Sequence, residues 1–400
     1  MRLLIVTQKV DREDDLLGFF HQWIIEFAKH CESVTVICLE EGSHRLPSNV
    51  RVFSLGKERC GRGQSSTVLG GGLASIVLRR ARYLFNFYRY IWRERGNYDT
   101  VFVHMNTEYM VLAGWLWRLL GKRVALWHVH FEVNLRLWIA EKCAHVIFTT
   151  TPDGCRLKSK KVRPIGHGID VARFAKGVWE TQERLDLKEE RSPAAAGRSD
   201  GGRSNLAQSF PHATKEPIRL LYAGKITPIK NVHVLVDAAR ILKQSWNRKF
   251  VVDIVGPPTT PEYDRKLREY IAAKNLSDVV VMHGRVPYSE MPPYYRRATA
   301  VVNMCPTGGM DKTVLEGLAS RTLAVVANDA FRELFGEYAG ELTYPYQNAE
   351  ALAEKIKVLF SKSEVELVRM RGLLHERMKA HSSLETRIPI MVNLLTTVEV

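Results

Sequence analysis

Short apolar runs alternate with longer amphipathic stretches along the first 174 residues of the chain. Apolar runs of this length predict strands, and stretches with a helical apolar period predict the helices between them. Strands are expected at residues 3–7, 34–39, 50–54, 100–104, 123–127 and 146–150, and helices at residues 17–29, 73–93, 108–120 and 134–142. Strands that are apolar throughout are covered on both faces, so this half predicts a parallel, doubly wound sheet.

The same alternation returns in the second half, after a stretch that lacks it. Residues 175–216 are rich in Gly, Ser, Ala and charge, which predicts a flexible insertion or linker. Beyond it, strands are expected at 219–223, 250–255, 279–283, 298–304 and 323–327, helices at 231–242, 261–273 and 289–297, and three helical segments from residue 348 onward. The expected map is an N-terminal α/β domain (1–174), the linker, a C-terminal α/β domain (217–380), and a final helix (381–400) that packs back on the N-terminal domain.

Composition and charge favour a globular protein with anionic partners. Hydrophobic residues make up 46% and charged residues 25% of the 400 residues, as in ordinary soluble domains. The formal net charge is +15 at pH 7. This balance suits nucleic acid, phosphorylated small molecules or an anionic membrane surface, and it does not choose among them.

The cysteines and the N-terminus predict a cytoplasmic protein. None of the six cysteines belongs to a C-x-x-C pair, so neither a disulfide framework nor a zinc site is indicated. The first residues run directly into a strand pattern, without the features of a signal peptide. The longest apolar stretch, residues 110–117, is far shorter than the ~20 residues that a spanning helix needs.

One stretch, residues 303–327, combines several features of a phosphate site. It reads as a strand, a turn with Gly308 and Gly309, a helix that begins near Lys312, and a second strand. Backbone N–H groups at a helix N-terminus after a strand bind anions in open α/β sheets. Glu316, within that helix, suits a pair of ribose hydroxyls. The alternative is structural: Asp311 as an N-cap, the glycines as a turn and Glu316 on a solvated face.

A second stretch places two lysines after an apolar strand. Lys225 and Lys230 lie in the turn that follows residues 219–223, and Asn231 is expected to cap the next helix. Two ammonium groups beside a helix N-terminus suit a diphosphate, since each charged hydrogen bond contributes ~1.5–3 kcal/mol. The alternative is that both lysines are solvated loop residues.

Histidines end two strands of the N-terminal half. One strand is followed by His104-Met105-Asn106 and another by His128-Val129-His130. Each histidine is either a packed structural residue or part of a site. The H-x-H spacing also invites a metal, but no carboxylate or third histidine lies nearby in sequence, so no metal is expected.

The segment at residues 78–95, which lies mostly in the helix expected at residues 73–93, is both basic and aromatic. This pattern predicts docking on an anionic membrane, and a core helix with arginines on its outer face explains it nearly as well. Aromatic and basic residues also interleave in nucleic-acid-binding proteins, but no RNA- or DNA-binding module accompanies them here. Nucleic acid is therefore not an expected partner.

Taken together, the sequence resembles the retaining GT-B glycosyltransferases of family 4. The resemblance lies in the two doubly wound domains, in Gly224-Lys225 with Lys230, in Glu316 within a Leu-Glu-Gly-Leu-Ala helix, and in the turn GHGID at residues 166–170. It covers nearly the whole chain apart from the linker. It implies two Rossmann-like domains that face each other across a cleft.

The resemblance assigns the donor to the C-terminal half. Lys225 lies where the family usually has Arg, Lys230 matches the phosphate-binding Lys, and Glu316 matches the second Glu of the E-x7-E motif, which holds the ribose. Arg285 and Val286 occupy the loop that flanks the nucleobase.

The N-terminal half is expected to supply the remaining contacts. His130 resembles the histidine beside the reacting sugar, and it is the expected catalytic residue. Gly18 resembles the Gly-rich first loop, without the usual glycine pair. His104 and Asn106 are expected on the acceptor side.

One position departs from the family pattern. Gly308 stands eight residues before Glu316, where the family has the first Glu of E-x7-E. Asp311 and the backbone N–H groups of Gly309 and Met310 are expected to take over its contacts to the donor sugar, with Lys312 in the same turn. The departure also leaves open a change of sugar or a loss of activity.

The function implied is retaining, metal-independent transfer of a hexose from a UDP- or GDP-sugar to a glycan or lipid-linked acceptor. No cofactor is expected. The protein is expected to attach peripherally to the inner face of the membrane. Two alternatives stay open: an epimerase or phosphorylase of GT-B architecture, and a nucleotide-sugar-binding protein without catalysis.

Overall fold

The computed structural model describes residues 1–60, 73–130, 132–175, 217–306 and 308–397. Its contacts divide the chain into two compact units. The first comprises Met1–Gly168, Pro287–Ser289 and Ser382–Val400, and the second comprises Ile169–Val286 and Glu290–His381. The flexible insertion predicted at residues 175–216 lies, from residue 176 onward, outside the described residues.

The first unit is built on a seven-stranded parallel sheet with strand order β3-β2-β1-β4-β5-β6-β7. Its strands are β1 (Arg2–Val10), β2 (Ser33–Glu41), β3 (Val50–Ser54), β4 (Thr100–His104), β5 (Arg123–Trp127), β6 (Val146–Thr149) and β7 (Val162–Pro164). Its first helices are α1 (Gly18–His30), α2 (Leu73–Glu94), α3 (Thr107–Leu119) and α4 (Leu135–Cys143). Among the described strands of this unit, the pattern missed only β7, a three-residue edge strand without an apolar run.

Helices cover both faces of this sheet. On one face, Phe87 of α2, Trp117 of α3 and Leu137 of α4 form one buried cluster with strand residues such as Val103 and Leu126. Side chains of alternate strand residues point to the opposite face. There, Phe102 packs against Phe27 of α1, with ring centroids 5.2 Å apart. Burial on both faces accounts for the continuous apolar runs in the sequence.

The second unit is built on a five-stranded parallel sheet with strand order β10-β9-β8-β11-β12. Its strands are β8 (Ile218–Ala223), β9 (Phe250–Val255), β10 (Val280–Gly284), β11 (Ala300–Asn303) and β12 (Leu323–Val326). Its helices are α5 (Val171–Ala175), α6 (Val232–Ser245), α7 (Pro261–Ala273), α8 (Pro292–Arg297), α9 (Lys312–Ala319), α10 (Arg332–Phe335), α11 (Ala339–Leu342), α12 (Ala349–Leu359) and α13 (Glu364–Ser382). The two parallel α/β sheets confirm the predicted fold class.

One helix of this unit starts later than predicted. The pattern placed a helix at residues 289–297, but α8 begins only at Pro292. Pro292 and Pro293 lack the N–H groups of an α-helical ladder, and proline is accepted in the first turn. A 3-10 turn at Tyr288–Glu290 precedes them.

The last helix, α14 (Leu384–Thr397), belongs to the first unit and packs against α1. Trp23 of α1 donates its indole N–H to the Gly168 carbonyl at 2.8 Å. A side chain at Gly168 has no room, because a Cβ there lies 2.7 Å from Leu384 and 2.8 Å from the Trp23 ring. Among the residues described, no helix is long and apolar enough to span a bilayer.

Candidate functional site

The strand order of the second unit creates a switch point between β8 and β11. From β8 the sheet continues through β9 to β10 on one side, and through β11 to β12 on the other. Ligands of open α/β sheets bind at the carboxyl ends of strands at such a point. Both predicted donor stretches follow these two strands, with Lys225 and Lys230 after β8 and the Gly308–Glu316 stretch after β11.

Lys230 and Asp311 form an ion pair across this switch point. Lys230 Nζ lies 2.8 Å from Asp311 Oδ1, and Asn303 Nδ2 donates to Asp311 Oδ2 at 2.7 Å. Asp311 occupies the N-cap position of α9, but its side chain makes no capping hydrogen bond. The interpretation of Asp311 as a capping side chain is therefore wrong, because the Lys230 ammonium and the Asn303 amide hold the carboxylate instead.

The pair keeps both groups charged. Burial disfavours the ammonium of Lys230, but the adjacent Asp311 carboxylate outweighs it and raises the pKa of Lys230. Burial likewise opposes ionisation of Asp311, while Lys230 and the Cys305 and Asn303 side chains lower the pKa of Asp311. Burial and the nearby Asp311 raise the pKa of Cys305 to about 12, so its thiol stays neutral. The site thus presents a cation whose charge an internal carboxylate already neutralises.

Asn231 shapes the turn that carries Lys230. Its backbone is left-handed, with φ 49° and ψ 40°, and its side chain makes no capping hydrogen bond to α6. Asn231 thus occupies the predicted N-cap position of α6, but its side chain does not cap the helix. The Asn231 amide instead donates to the Ile229 carbonyl at 3.1 Å and to the Tyr346 hydroxyl at 2.9 Å. These bonds fix the turn and with it the position of Lys230.

Glu316 is buried, so the alternative of a solvated surface carboxylate is excluded. Its Oε2 accepts a hydrogen bond from the Tyr295 hydroxyl of α8 at 2.6 Å. The Tyr295 carbonyl accepts from Thr322 Oγ1 at 2.7 Å, and its ring meets Phe174 edge-on at 5.5 Å. Tyr295 therefore sets the direction of the Glu316 carboxylate. Sequence reasoning missed this residue, since a tyrosine on a short helix gives no motif.

Lys312 begins α9 between two carboxylates. Burial lowers the pKa of Lys312 to about 7, and the charges of Glu316 and Asp311 oppose this effect. Before the helix, Gly308 has φ 154°, a region that favours glycine. The Gly309 carbonyl accepts from Asn328 Nδ2 at 3.1 Å, and Met310 is buried. The turn thus holds its backbone in place ahead of the helix N-terminus.

The other predicted donor residues lie on the same unit. Lys225 is exposed, directly after Gly224. Arg285 is exposed and Val286 buried, and both follow β10, an edge strand of the same parallel sheet. The carboxyl ends of parallel strands share one edge of a sheet, so all these residues lie along that edge.

The remaining predicted residues lie on the first unit. His104 is buried at the end of β4, where its ring stacks on Phe20 at 3.7 Å and its Nδ1 lies 3.3 Å from Thr7 Oγ1. Asn106 Nδ2 donates to Gln8 Oε1 at 2.9 Å. A Cβ at Gly18 would lie 2.9 Å from Tyr288 Cβ, so close packing requires the glycine at the head of α1.

The two histidines after β5 differ in environment. His130 is exposed, and its Nδ1 accepts from the Glu132 N–H at 3.1 Å. His128 is buried, and burial together with the neighbouring His130 lowers the pKa of His128 to about 4, so its imidazole is neutral at pH 7. Within the described ranges, no His, Cys, Asp and Glu side chains cluster as metal ligands do.

The fold is that of several solved structures, one of which is a glycosyltransferase. The chain superposes on Anabaena Alr3699/HepE in complex with UDP with a TM-score of 0.68 at 14% identity, over 99% of this chain and 100% of that one. Sucrose-phosphate synthase from Thermosynechococcus elongatus gives a TM-score of 0.68 at 16% identity, over 99% of this chain and 98% of that one. A glycosyltransferase from Rickettsia africae gives a TM-score of 0.64 at 15% identity, over 100% of this chain and 99% of that one.

Sequence comparison adds information on one part of the chain. No curated protein sequence matches it significantly. The family profile described as glycosyl transferases group 1 matches residues 204–371. This range includes every candidate donor residue of the second unit. The chain therefore has a GT-B fold, and within its second unit residues 204–371 are similar to glycosyl transferases group 1.

Proposed function

We propose that the protein is a retaining glycosyltransferase of family 4 type that moves a hexose from a nucleoside diphosphate sugar to a glycan or lipid-linked acceptor. The observation that carries the proposal is the group of Lys230, Asp311, Lys312 and Glu316 at the switch point of the second sheet. The group combines cations for a diphosphate with a fixed carboxylate for a ribose. The match of residues 204–371 to glycosyl transferases group 1 supports it independently.

The cations supply the electrostatic part of the mechanism. When the bond from the anomeric carbon to the diphosphate breaks, negative charge develops on the leaving phosphate oxygens. Lys225, Lys230, Lys312 and the N-terminus of α9 are the groups that bind this charge, and no metal is required for that task. Loss of one such preorganised donor costs ~10²–10³ in rate.

The ribose and base are bound at the far end of the same donor. Glu316, held by Tyr295, accepts hydrogen bonds from the ribose hydroxyls, and the loop with Arg285 and Val286 flanks the base. HepE was crystallised with UDP, which supports a UDP-sugar ahead of a GDP-sugar. Gly308 has no side chain to contact the donor sugar. The backbone N–H groups of Gly309 and Met310 and the Asp311 carboxylate bind it instead.

In this proposal, the first unit contributes residues that act on the reacting sugar and on the acceptor. His130, exposed after β5, orients the donor sugar at the reacting carbon. Asn106 is the acceptor-side residue, together with His104, whose buried ring supports the loop after β4. Gly18 allows the close packing at the head of α1. A cytoplasmic enzyme attached peripherally to the inner membrane face completes the proposal.

Incubation of the purified protein with a panel of UDP- and GDP-sugars tests the proposal. We expect slow release of nucleoside diphosphate from the true donor, and a product whose anomeric configuration matches the donor when an acceptor is present. Interconversion of the sugar without release identifies an epimerase instead. Binding without any turnover, across the panel and with acceptors, identifies a nucleotide-sugar-binding protein.

A further inference from the structure

Each helix on one face of the first sheet carries a tryptophan on its outer side. Trp92 of α2 is 55% exposed, Trp115 of α3 is 52% exposed and Trp138 of α4 is 50% exposed. The inner sides of the same three helices form the buried cluster against the sheet. Their outer sides together form one surface, here called the docking face.

Further apolar side chains surround these tryptophans. Most of the large apolar side chains that are exposed in the described part of the chain lie in this region: Val77, Leu78, Leu84, Phe85, Met105, Leu119, Val133, Leu135 and Ile139. On α2, Leu78, Phe85 and Trp92 are spaced seven residues apart, so they form one line along the helix. An exposed apolar concentration of this kind marks an interaction surface.

Arginines and lysines accompany the apolar residues on each helix. Exposed cations lie one helical turn from an outer apolar residue: Arg82, Arg89, Arg95, Arg118 and Lys142. Arg95 stacks on the Trp92 ring at 4.4 Å.

Acidic residues cancel part of this charge, since Lys142 pairs with Glu141 at 3.3 Å, but the arginines of the face exceed them. Glu94 and Glu141 are buried and held by basic neighbours. Glu108 pairs with Arg136 at 2.6 Å. The docking face is therefore cationic as well as apolar.

This combination matches the chemistry of an anionic bilayer surface. Tryptophan prefers the boundary between head groups and acyl chains, and arginine places its apolar stem in the same boundary while its guanidinium contacts phosphate. Each cation at an anionic surface increases binding roughly fivefold. A protein partner with an apolar face gains nothing from the arginines unless it is acidic.

The apolar surface continues into the loops at the carboxyl ends of β4 and β5. Met105 lies beside His104 and Asn106, and Val133 and Leu135 follow His130 within five residues. All three apolar side chains are exposed. These are the loops that the proposed function places on the acceptor side, after β4, and beside the reacting sugar, after β5. Both loops are thus bordered by residues suited to lipid.

We propose that the docking face of α2, α3 and α4 binds anionic phospholipid bilayers, and that this contact presents the loops after β4 and β5 to a lipid-linked acceptor. The statement about the acceptor rests on the proposed function, whereas bilayer binding does not.

Vesicle co-sedimentation of the full chain tests bilayer binding without any enzymatic assay. The vesicles are phosphatidylcholine alone and an equal mixture of phosphatidylcholine and phosphatidylglycerol. We expect binding to the mixed vesicles only, weakened by salt because the contact is electrostatic. Absence of binding to the mixed vesicles at low salt overturns the proposal.

Two sets of variants localise the contact. Replacing Arg82, Arg89 and Arg118 together by Gln is expected to weaken binding about a hundredfold, whereas the same change at Arg265, Lys266 and Arg268 of α7 leaves it unchanged. Equal losses in both sets show binding by net charge and overturn the proposal.

The tryptophans give a second readout. Brominated phosphatidylcholine quenches tryptophan that enters the acyl boundary. We expect quenching that Trp92→Ser, Trp115→Ser and Trp138→Ser together abolish, while Val358→Ser with Val365→Ser does not. If the tryptophan variants instead convert a dimer to a monomer in sedimentation velocity and vesicle binding persists, the face binds a second copy and the proposal fails.

Assays with donor alone separate this failure from that of the proposed function. We expect the triple tryptophan variant to hydrolyse the donor as the wild-type chain does. Its transfer of sugar to lipid-linked acceptors should be lost. Hydrolysis absent in the wild-type chain refutes the function and leaves bilayer binding intact.

Discussion

Replacing Asp311 by Asn tests the internal ion pair of the candidate donor site. Asparagine has the same shape and still accepts the hydrogen bond from Asn303, but it removes the negative charge beside Lys230. The substitution therefore isolates the ion pair from the packing around it. Two opposite effects are expected, one on stability and one on diphosphate binding.

The stability effect follows from the exposure of the pair. An exposed ion pair contributes up to ~1 kcal/mol, and breaking a buried one costs about 3–5 kcal/mol. The side chains of Lys230 and Asp311 are 28% and 24% exposed, between these limits. We expect a loss of ~2 kcal/mol in the free energy of unfolding of the second unit, or ~4–8 °C in its Tm.

The binding effect has the opposite sign. In the proposed donor site, a diphosphate shares the Lys230 ammonium with Asp311 in the wild-type protein, whereas in the variant it does not. We expect the affinity for UDP to rise roughly tenfold, equivalent to ~1.4 kcal/mol, and the affinity for uridine to stay constant. Saturating UDP should also restore much of the lost Tm, because ligand binding to the native state stabilises it.

Calorimetric titration and thermal denaturation measure both effects. The matched control is Asp278→Asn, which breaks a pair of similar length. Asp278 lies 2.7 Å from Lys243, and its side chain is 61% exposed. The control should change the free energy of unfolding by less than ~1 kcal/mol and leave UDP binding unchanged. An Asp311→Asn variant that melts like the wild type and binds UDP equally refutes the competition between carboxylate and phosphate.

The pair also predicts a pH dependence. Since Asp311 has its pKa lowered in the folded state, it stabilises the fold above its unfolded pKa of about 3.9. This contribution disappears as the pH falls through the lower folded value. Acid titration of unfolding should therefore show a steeper loss of stability below pH ~4 in the wild type than in Asp311→Asn.

Three further predictions concern the neighbouring residues. Tyr295→Phe keeps the ring packing but frees the Glu316 carboxylate to turn. The affinity for UDP should therefore fall about tenfold, while the affinity for 2′,3′-dideoxy-UDP stays constant. Equal losses of affinity for both ligands show a merely structural role of Tyr295. Because the pKa of Lys312 is about 7, its ammonium is present below and lost above this pH, so UDP affinity should fall as pH rises from 6 to 8; a Lys312→Met variant that retains the same pH profile excludes Lys312 as its origin. Lys230→Ala should weaken UDP binding much more than uridine binding, with Lys243→Ala as the neutral control, and calorimetry that finds parallel losses removes Lys230 from the phosphate site.

Much of the fold was predictable because its elements depend on residues close together in the chain. Parallel strands buried on both faces require continuous apolar runs, and each such run longer than three residues was recognised. Lys230 and Glu316 were singled out for the same reason, since each belongs to a strand, turn and helix that are contiguous in sequence. The edge strand at Val162–Pro164 has no apolar run and was missed.

The partners of these residues were not predictable, because they depend on strand order. Insertion of β11 beside β8 brings Asp311 to Lys230 across 81 positions of the chain. Without that contact, the N-terminal position of Asp311 on α9 favours a capping side chain, whereas a nearby ammonium binds a carboxylate more strongly than backbone N–H groups do.

The same reasoning applies to Tyr295, Asn231 and the outer faces of α2, α3 and α4. The sequence determined that α2, α3 and α4 are amphipathic helices and that the chain is basic. Only the tertiary structure decided that Tyr295 meets Glu316 and that three tryptophans share one surface. Periodicity specifies which side of a helix is buried, but the neighbour that buries it is set by packing between segments distant in the chain.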